Sequence, residues 1–233
     1  MDQAEEEFPM GIDYEGYIRE TMQKNPITVG PDATFYEARA LIRDKGIRHL
    51  PVVEKNNQLI GIVTDRDIRE AAPSDATALS VHELHYLLGK LRVSAFMTPR
   101  EKLITITSDI LIEEAVQLMH DHKVGCLPVV EGNRLVGLIT VTDILAHLVD
   151  LFGLKMKGTR LTVALEDHPG QMHGITKIMK NHDVNIIGIL SPSFKVEGKR
   201  VAAIRIQTHD YEPIVKELEK KGYPVLSINK WNP

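Results

Sequence analysis

Leu50-Pro51-Val52-Val53-Glu54 recurs as Leu127-Pro128-Val129-Val130-Glu131, 77 positions further along the chain. An apolar run with proline in second place, repeated at a fixed distance, marks a duplicated unit, and duplication dictates architecture ahead of local structure. Working outward, Ile27-Thr28-Val29 matches Ile104-Thr105-Ile106 at the same separation, and Glu37-Ala38 matches Glu114-Ala115. Downstream, Leu59-Ile60-Gly61-Ile62-Val63-Thr64 matches Leu135-Val136-Gly137-Leu138-Ile139-Thr140 at a separation of 76, one turn residue having been lost. Asp67-Ile68 then matches Asp143-Ile144.

Each copy predicts the same elements. A short β-branched strand, 27–29 or 104–106, is followed by Asp32 or Asp109 as the cap of an amphipathic helix. That helix carries Ala38, Leu41 and Ile42 on one face, and Ala115, Leu118 and Met119 in the second copy. Two apolar strands follow, joined by Glu54-Lys55-Asn56-Asn57-Gln58 or by the tighter Glu131-Gly132-Asn133-Arg134. A second helix starts near Asp65 or Val141. Strands this continuously apolar need cover on both faces, so the two small sheets are expected to pack against each other.

Between the copies, Ala72-Pro73-Ser74-Asp75 reads as a break, and Val81, Leu84, Leu87, Leu88 and Leu91 recur at helical spacing. His82, Glu83 and His85 resemble metal ligands, but the two histidines are three apart and lack the i, i+4 spacing of a zinc-protease helix. They read as a solvated face. His120-Asp121-His122 reads the same way, because alternate residues on a helix point apart.

Composition excludes several classes. The 233 residues are 43% hydrophobic and 26% charged, with a net charge of −4; such a balance speaks against broad nucleic-acid binding. The acidic opening, Met1-Asp2-Gln3-Ala4-Glu5-Glu6-Glu7, is unlike a secretory signal, and no run is apolar for long enough to span a bilayer. A cytoplasmic protein is expected. Cys126, the single cysteine, sits in an apolar run and reads as a small buried hydrophobe.

The motif that could carry chemistry closes each repeat: Gly61-Ile62-Val63-Thr64-Asp65-Arg66-Asp67 and Gly137-Leu138-Ile139-Thr140-Val141-Thr142-Asp143. A hydroxyl at a strand end meets a helix start with free N–H groups, a natural place for a phosphate. Three residues on, a carboxylate could accept hydrogen bonds from the paired hydroxyls of a ribose. The same Thr-x-x-Asp is also close to a capping box that needs no ligand.

With the Leu-Pro-Val-Val strand and their common order, these motifs resemble the cystathionine-β-synthase (CBS) domain over about 18–70 and 94–149. The resemblance implies a flattened pair with two clefts for adenosine-bearing ligands such as AMP, ADP, ATP or S-adenosylmethionine. It implies one site at Ile47, Arg48, His49, Thr64, Arg66 and Asp67, and another at Val124, Gly125, Cys126, Thr140 and Asp143. Arg48 and Arg66 offer charge to phosphates, and His49 offers a face for stacking. The second site lacks these, so an anionic nucleotide is expected to prefer the first.

The last third differs. Gly153 and Gly158 flank a short linker. A strand at 160–165, the turn Asp167-His168-Pro169-Gly170, a helix at 171–182, strands at 184–190 and 200–207, a helix at 211–220 ending at Gly222, and a strand at 225–228 follow. The order β-α-β-β-α-β predicts a ferredoxin-like antiparallel sheet with two helices on one face. With the Glu166–Gly170 turn and Val184-Asn185-Ile186, it resembles the ACT domain, a regulatory module. That resemblance implies an amino-acid ligand held by Asp167, His168, Gly170 and Asn185. Pro169-Gly170 could equally make only the turn, and Asn185 bond only locally.

The expected organisation is thus mixed α/β: an N-terminal segment (1–17), CBS repeat 1 (18–70), a helical insertion (71–93), CBS repeat 2 (94–150), a linker (151–158) and an ACT-like domain (159–231). Paired CBS repeats followed by an ACT domain resemble the acetoin-utilisation B group of bacterial regulators. That implies a homodimeric, non-catalytic sensor acting on an unidentified protein partner in acetoin- or acetate-linked carbon metabolism. No catalytic residue, catalytic cofactor or metal site is read from the sequence: phosphate loop, nucleophile elbow and zinc cluster are all missing. The competing readings are a dimerisation scaffold without nucleotide and a DNA-binding regulator, although neither a helix-turn-helix unit nor a basic stripe appears.

Overall fold

The computed structural model describes residues 16–72, 80–193, 195–196 and 198–233, and it divides into two compact units that meet in sequence between Ile144 and Leu145. The acidic opening and the Pro73-Ser74-Asp75 break lie outside the described residues.

The first unit follows the repeat. Copy one supplies α1 (Ile18–Thr21), β1 (Gln23–Lys24), α2 (Phe35–Lys45), β2 (His49–Val53), β3 (Leu59–Thr64) and α3 (Asp65–Ala71). The inserted helix is α4 (Val81–Lys90). Copy two supplies β4 (Thr98–Pro99), α5 (Ile112–His122), β5 (Cys126–Glu131), β6 (Arg134–Thr140) and the first turn of α6 (Val141–Leu151), within which the boundary between the units falls.

Each copy completes the other's sheet. The strand orders are β2-β3-β4 and β1-β6-β5, so the leading strand of each repeat adds to the hairpin of its neighbour. Gln23 pairs with Leu138 and Lys24 with Gly137, while Thr98 pairs with Ile62 and Pro99 with Gly61. The exchange continues at the helix entries: Phe35 N donates to Leu91 O at 2.9 Å, and Ile112 N donates to Gly16 O at 2.9 Å. Ile18 and Val93, on the crossing segments, are fully buried. At the hairpin tips the copies touch again, with Leu59, Val130 and Leu135 in one apolar cluster and Asn57 Nδ2 donating to Leu135 O at 2.6 Å.

Two local expectations are corrected by this exchange. The caps of α2 and α5 are Thr34 and Leu111, not Asp32 and Asp109. The chain first bridges to the crossing segment, Thr34 to Arg92 and Leu111 to Tyr17, and so enters each helix two residues later. Thr34 Oγ1 accepts from Glu37 N at 3.2 Å, and Glu37 returns the bond to Thr34 N at 2.7 Å; Leu111 has no such side chain. The expected strands 27–29 and 104–106 reduce to single parallel bridges, Val29 to Val52 and Ile106 to Val129. Val29 N donates to Pro51 O and Ile106 N to Pro128 O. The prolines thus face the side of β2 and β5 with the thinnest ladder, where a missing N–H costs least.

The second unit contains β7 (Gly158–Leu165), α7 (Gln171–Asn181), β8 (Ile186–Leu190), β9 (Lys195–Val196), β10 (Lys199–Ile206), α8 (Glu212–Lys220) and β11 (Val225–Trp231). The sheet order is β11-β7-β10-β8, with every pairing antiparallel and β9 added at the end of β10. This is the expected β-α-β-β-α-β arrangement. Alternate residues Leu161, Val163, Leu165, Ala202, Ile204 and Ile206 pack against Ile175, Ile178 and Met179 of α7 and Ile214 and Leu218 of α8. β11 runs past its expected end at Ile228, because Lys230 and Trp231 stay in register with Thr159 and Gly158.

Candidate functional site

Thr64 and Thr140 stand at the junction of a strand and a helix, as the motif requires. Thr64 Oγ1 donates to Asp67 Oδ2 at 2.7 Å, Thr64 N donates to the same oxygen at 2.7 Å, and Asp67 N donates back to Thr64 Oγ1 at 3.2 Å. In the second copy the corresponding distances are 2.7, 2.8 and 3.3 Å. Both boxes close on Oδ2, so each aspartate keeps Oδ1 as an acceptor. The capping box is therefore present in both copies, and it holds the carboxylate in one orientation whatever else the motif does.

The segment before each Leu-Pro is joined to the same point. Asp65 N donates to Arg48 O at 3.0 Å, and Val141 N to Gly125 O at 3.1 Å. His49 lies opposite Thr64, and Cys126 opposite Thr140, in the sheet registers. The structure thus brings Ile47–His49 to Thr64 and Asp67, and Val124–Cys126 to Thr140 and Asp143. Arg66, expected to face phosphates, instead pairs with Glu70 at 2.6 Å on the exposed side of α3.

The copies also meet through a side chain. A Cβ on Gly125 would lie 3.3 Å from His49 Nε2, so the first copy's imidazole rests on the second copy's backbone. Burial is the main cause that pushes the His49 pKa down; Asp65 and Asp143 oppose it and Arg48 adds to it. Cys126 is half-buried, and loss of hydration pushes its thiol up to about 12, so it stays protonated and inert at neutral pH. The sequence offered no sign of the His49–Gly125 contact, because 76 residues separate the partners.

A cleft of about 890 Å³ in the first unit lies elsewhere, between the 28–34 segment, the outer side of α2 and Arg92. None of the expected nucleotide residues lines it. His82, Glu83 and His85, like His120, Asp121 and His122, are exposed, in keeping with solvated faces.

In the second unit, Asp167, His168 and Gly170 line a cleft of about 500 Å³ with Arg200 and Ser191. Asp167 pairs with Lys195 at 2.6 Å and Arg200 at 3.6 Å, which hold its carboxyl below the usual range. The sequence reading missed both cations, which reach the turn from the far hairpin. Asn185 is not part of this cleft: it immediately precedes β8 at the opposite end of the sheet, bonds Gln207 at 3.1 Å and lines a separate pocket with His182 and Asp210. β7 and β8 both run antiparallel to β10, so the end of one strand and the start of the other cannot meet. Gly170, with φ of +92°, makes the turn into α7.

Two repeats that exchange strands, each ending in a capped Thr-x-x-Asp, define a paired regulatory module. Residues 18–74 and 93–150 match the CBS domain family, and these segments form a tandem CBS pair. The chain is 42% identical over 127 residues to inosine-5′-monophosphate dehydrogenase of Rhizobium tropici, covering 53% of this chain and 22% of that protein. It therefore spans about a fifth of the length of such dehydrogenases, within their CBS region and outside their catalytic domain. An uncharacterised Methanocaldococcus jannaschii protein is 25% identical over 224 residues, covering 92% of this chain and 47% of its own length. Among solved structures, a Vibrio cholerae protein assigned to acetoin utilization (AcuB) is 30% identical with a TM-score of 0.50, covering 59% of this chain and 93% of its own. No helix among the described residues is long and apolar enough to cross a membrane.

Proposed function

We propose that this chain is a non-catalytic metabolite sensor whose CBS pair binds an adenosine-bearing ligand at Thr64 and Asp67 and at Thr140 and Asp143. The observation that carries the reading is the repetition, within about 0.1 Å, of the two Thr–Asp boxes, each closing on one carboxylate oxygen at a strand-to-helix junction tied to the segment before Leu-Pro. Occupation shifts the module between conformations, and a protein partner reads the difference. The likeness to the Vibrio cholerae AcuB structure supports a role in acetoin-linked carbon metabolism. The second unit acts as an ACT-like domain; its amino-acid site is the cleft at Asp167, His168 and Gly170, with Arg200 as the carboxylate partner in place of Asn185. Pairing of two copies completes the regulator.

Calorimetry with AMP, ATP and S-adenosylmethionine tests this on the full chain and on Asp67→Ala and Asp143→Ala. Each variant is expected to lose one class of site, with the larger loss of anionic nucleotide at Asp67, on account of Arg48. Equal losses would remove the asymmetry. No binding by any of the three ligands would leave a dimerisation scaffold as the better account.

A further inference from the structure

We infer that His49 serves both Thr-x-x-Asp motifs at once and is the residue by which the pair distinguishes anionic from cationic adenosine ligands. This rests on the nucleotide reading above. Three placements carry it. His49 opens β2 directly opposite Thr64 of the first motif. Its ring leaves its own repeat and lies on Gly125, 3.3 Å from Nε2 and 3.6 Å from Cε1 to the position a Cβ would take. Gly125 in turn anchors the first turn of α6 through its carbonyl, at the start of the second motif.

The charged and titratable groups around the ring come from four elements. Arg48 precedes it in its own segment, Asp65 starts α3, Asp143 lies in the first turn of α6, and Cys126 on β5 adjoins Gly125 as a neutral thiol. Half-buried, the ring is held neutral by lost hydration while the two carboxylates favour the proton. A phosphate bound at either motif adds negative charge beside a ring already close to two carboxylates, and draws a proton onto it. A sulfonium brings the opposite charge and keeps the ring neutral. Binding of the anion is thereby linked to proton uptake, and falling pH favours the anion over the cation.

The glycine makes this geometry available. At the equivalent position the first repeat carries Arg48, whereas any side chain at Gly125 would start 3.3 Å from His49 Nε2. The second motif therefore receives its titratable group from the first repeat rather than from its own.

The test is calorimetry of the full chain with AMP and with S-adenosylmethionine, each in two buffers of different ionisation heat, between about pH 6 and 8 where histidine titrates. AMP carries a phosphate proton of its own, so the readout is the difference between wild type and His49→Gln. AMP is expected to take up an added fraction of a proton only when His49 is present, and S-adenosylmethionine none. As pH falls, the affinity ratio of AMP to S-adenosylmethionine should shift toward AMP severalfold more in wild type than in the variant, whose remaining pH dependence is that of the ligands themselves. Gly125→Ala, which keeps the histidine but crowds it, should change the AMP-linked uptake without abolishing binding. Equal proton uptake in wild type and His49→Gln, with AMP bound by both, would overturn the inference and leave the nucleotide reading intact. Failure of both ligands to bind wild type would overturn the two together.

Discussion

Gly61 in β3 lies so close to the neighbouring repeat that a Cβ there would fall 2.7 Å from the Met97 sulfur and 2.7 Å from the Thr98 carbonyl oxygen. Gly137 in β6 meets Met22 in the same way, but there the crowding atoms all belong to the flexible thioether side chain. Backbone cannot yield as a methionine can. Gly61→Ala is expected to destabilise the first unit by about 1–3 kcal/mol, and Gly137→Ala by clearly less. Urea unfolding of the two variants checks the order; a larger loss at Gly137 would contradict the contact geometry.

Removing a cap hydroxyl separates structure from ligand. Thr64→Ala and Thr140→Ala should each cost about 1 kcal/mol in the absence of any ligand, since each hydroxyl satisfies the N–H of its aspartate. Thr→Ser at either position should restore most of that stability. Unfolding midpoints unchanged by both alanine variants would mean that the boxes do not stabilise the helix starts.

Burial of His49 sets a pH dependence. Its folded pKa lies below the ordinary value of 6.5, so the unfolded chain binds the proton more readily. Stability is therefore full above that value and falls as pH drops below it, until the folded ring also protonates. His49→Gln should lose this component, leaving a shallower decline as pH falls through a range that starts near the ordinary value of about 6.5. Denaturant titrations at the two ends of the range, with both proteins, give the comparison; identical slopes would count against the buried ring.

Arg205 is only 6% exposed, on the helix-free face of the second sheet, and its Nε has no partner. Nη2 donates to Gly153 O and Met156 O at 3.4 and 3.3 Å, and the guanidinium lies 5.4 Å from the Trp231 ring. Arg160 stands directly opposite on β7. Arg205→Ala should cost about 2–4 kcal/mol, from the cavity and the two orphaned carbonyls. Arg205→Met should cost less, because it fills the volume and removes both the unpaired donor and the like charge across the strands. Thermal unfolding of the two variants would refute this ordering if methionine were the worse substitution.

Much of the fold was legible because it is written in local pattern. The two copies, the inserted helix over Val81–Lys90 and the β-α-β-β-α-β order all follow from periodicity and punctuation, signals carried by neighbours a few residues apart. The errors cluster where the copies exchange segments. Asp32 and Asp109 look like caps to a local reading, yet the crossing strands delay both helices to Thr34 and Leu111. Met22 and Met97 carry no motif, and only their close packing against glycine shows why they matter.

The candidate sites divide in the same way. By itself, the chain determined that Thr64, Asp67, Thr140 and Asp143 stand at strand-to-helix junctions, because a three-residue spacing closes its own hydrogen bonds within one helical turn. It also determined that Asp167, His168 and Gly170 share one turn. Only the tertiary structure decided that Asn185 lies at the far end of the sheet, that Lys195 and Arg200 neutralise Asp167, and that His49 crosses to Gly125. Those relationships depend on strand direction and on contacts between residues up to 76 positions apart, which no local pattern encodes.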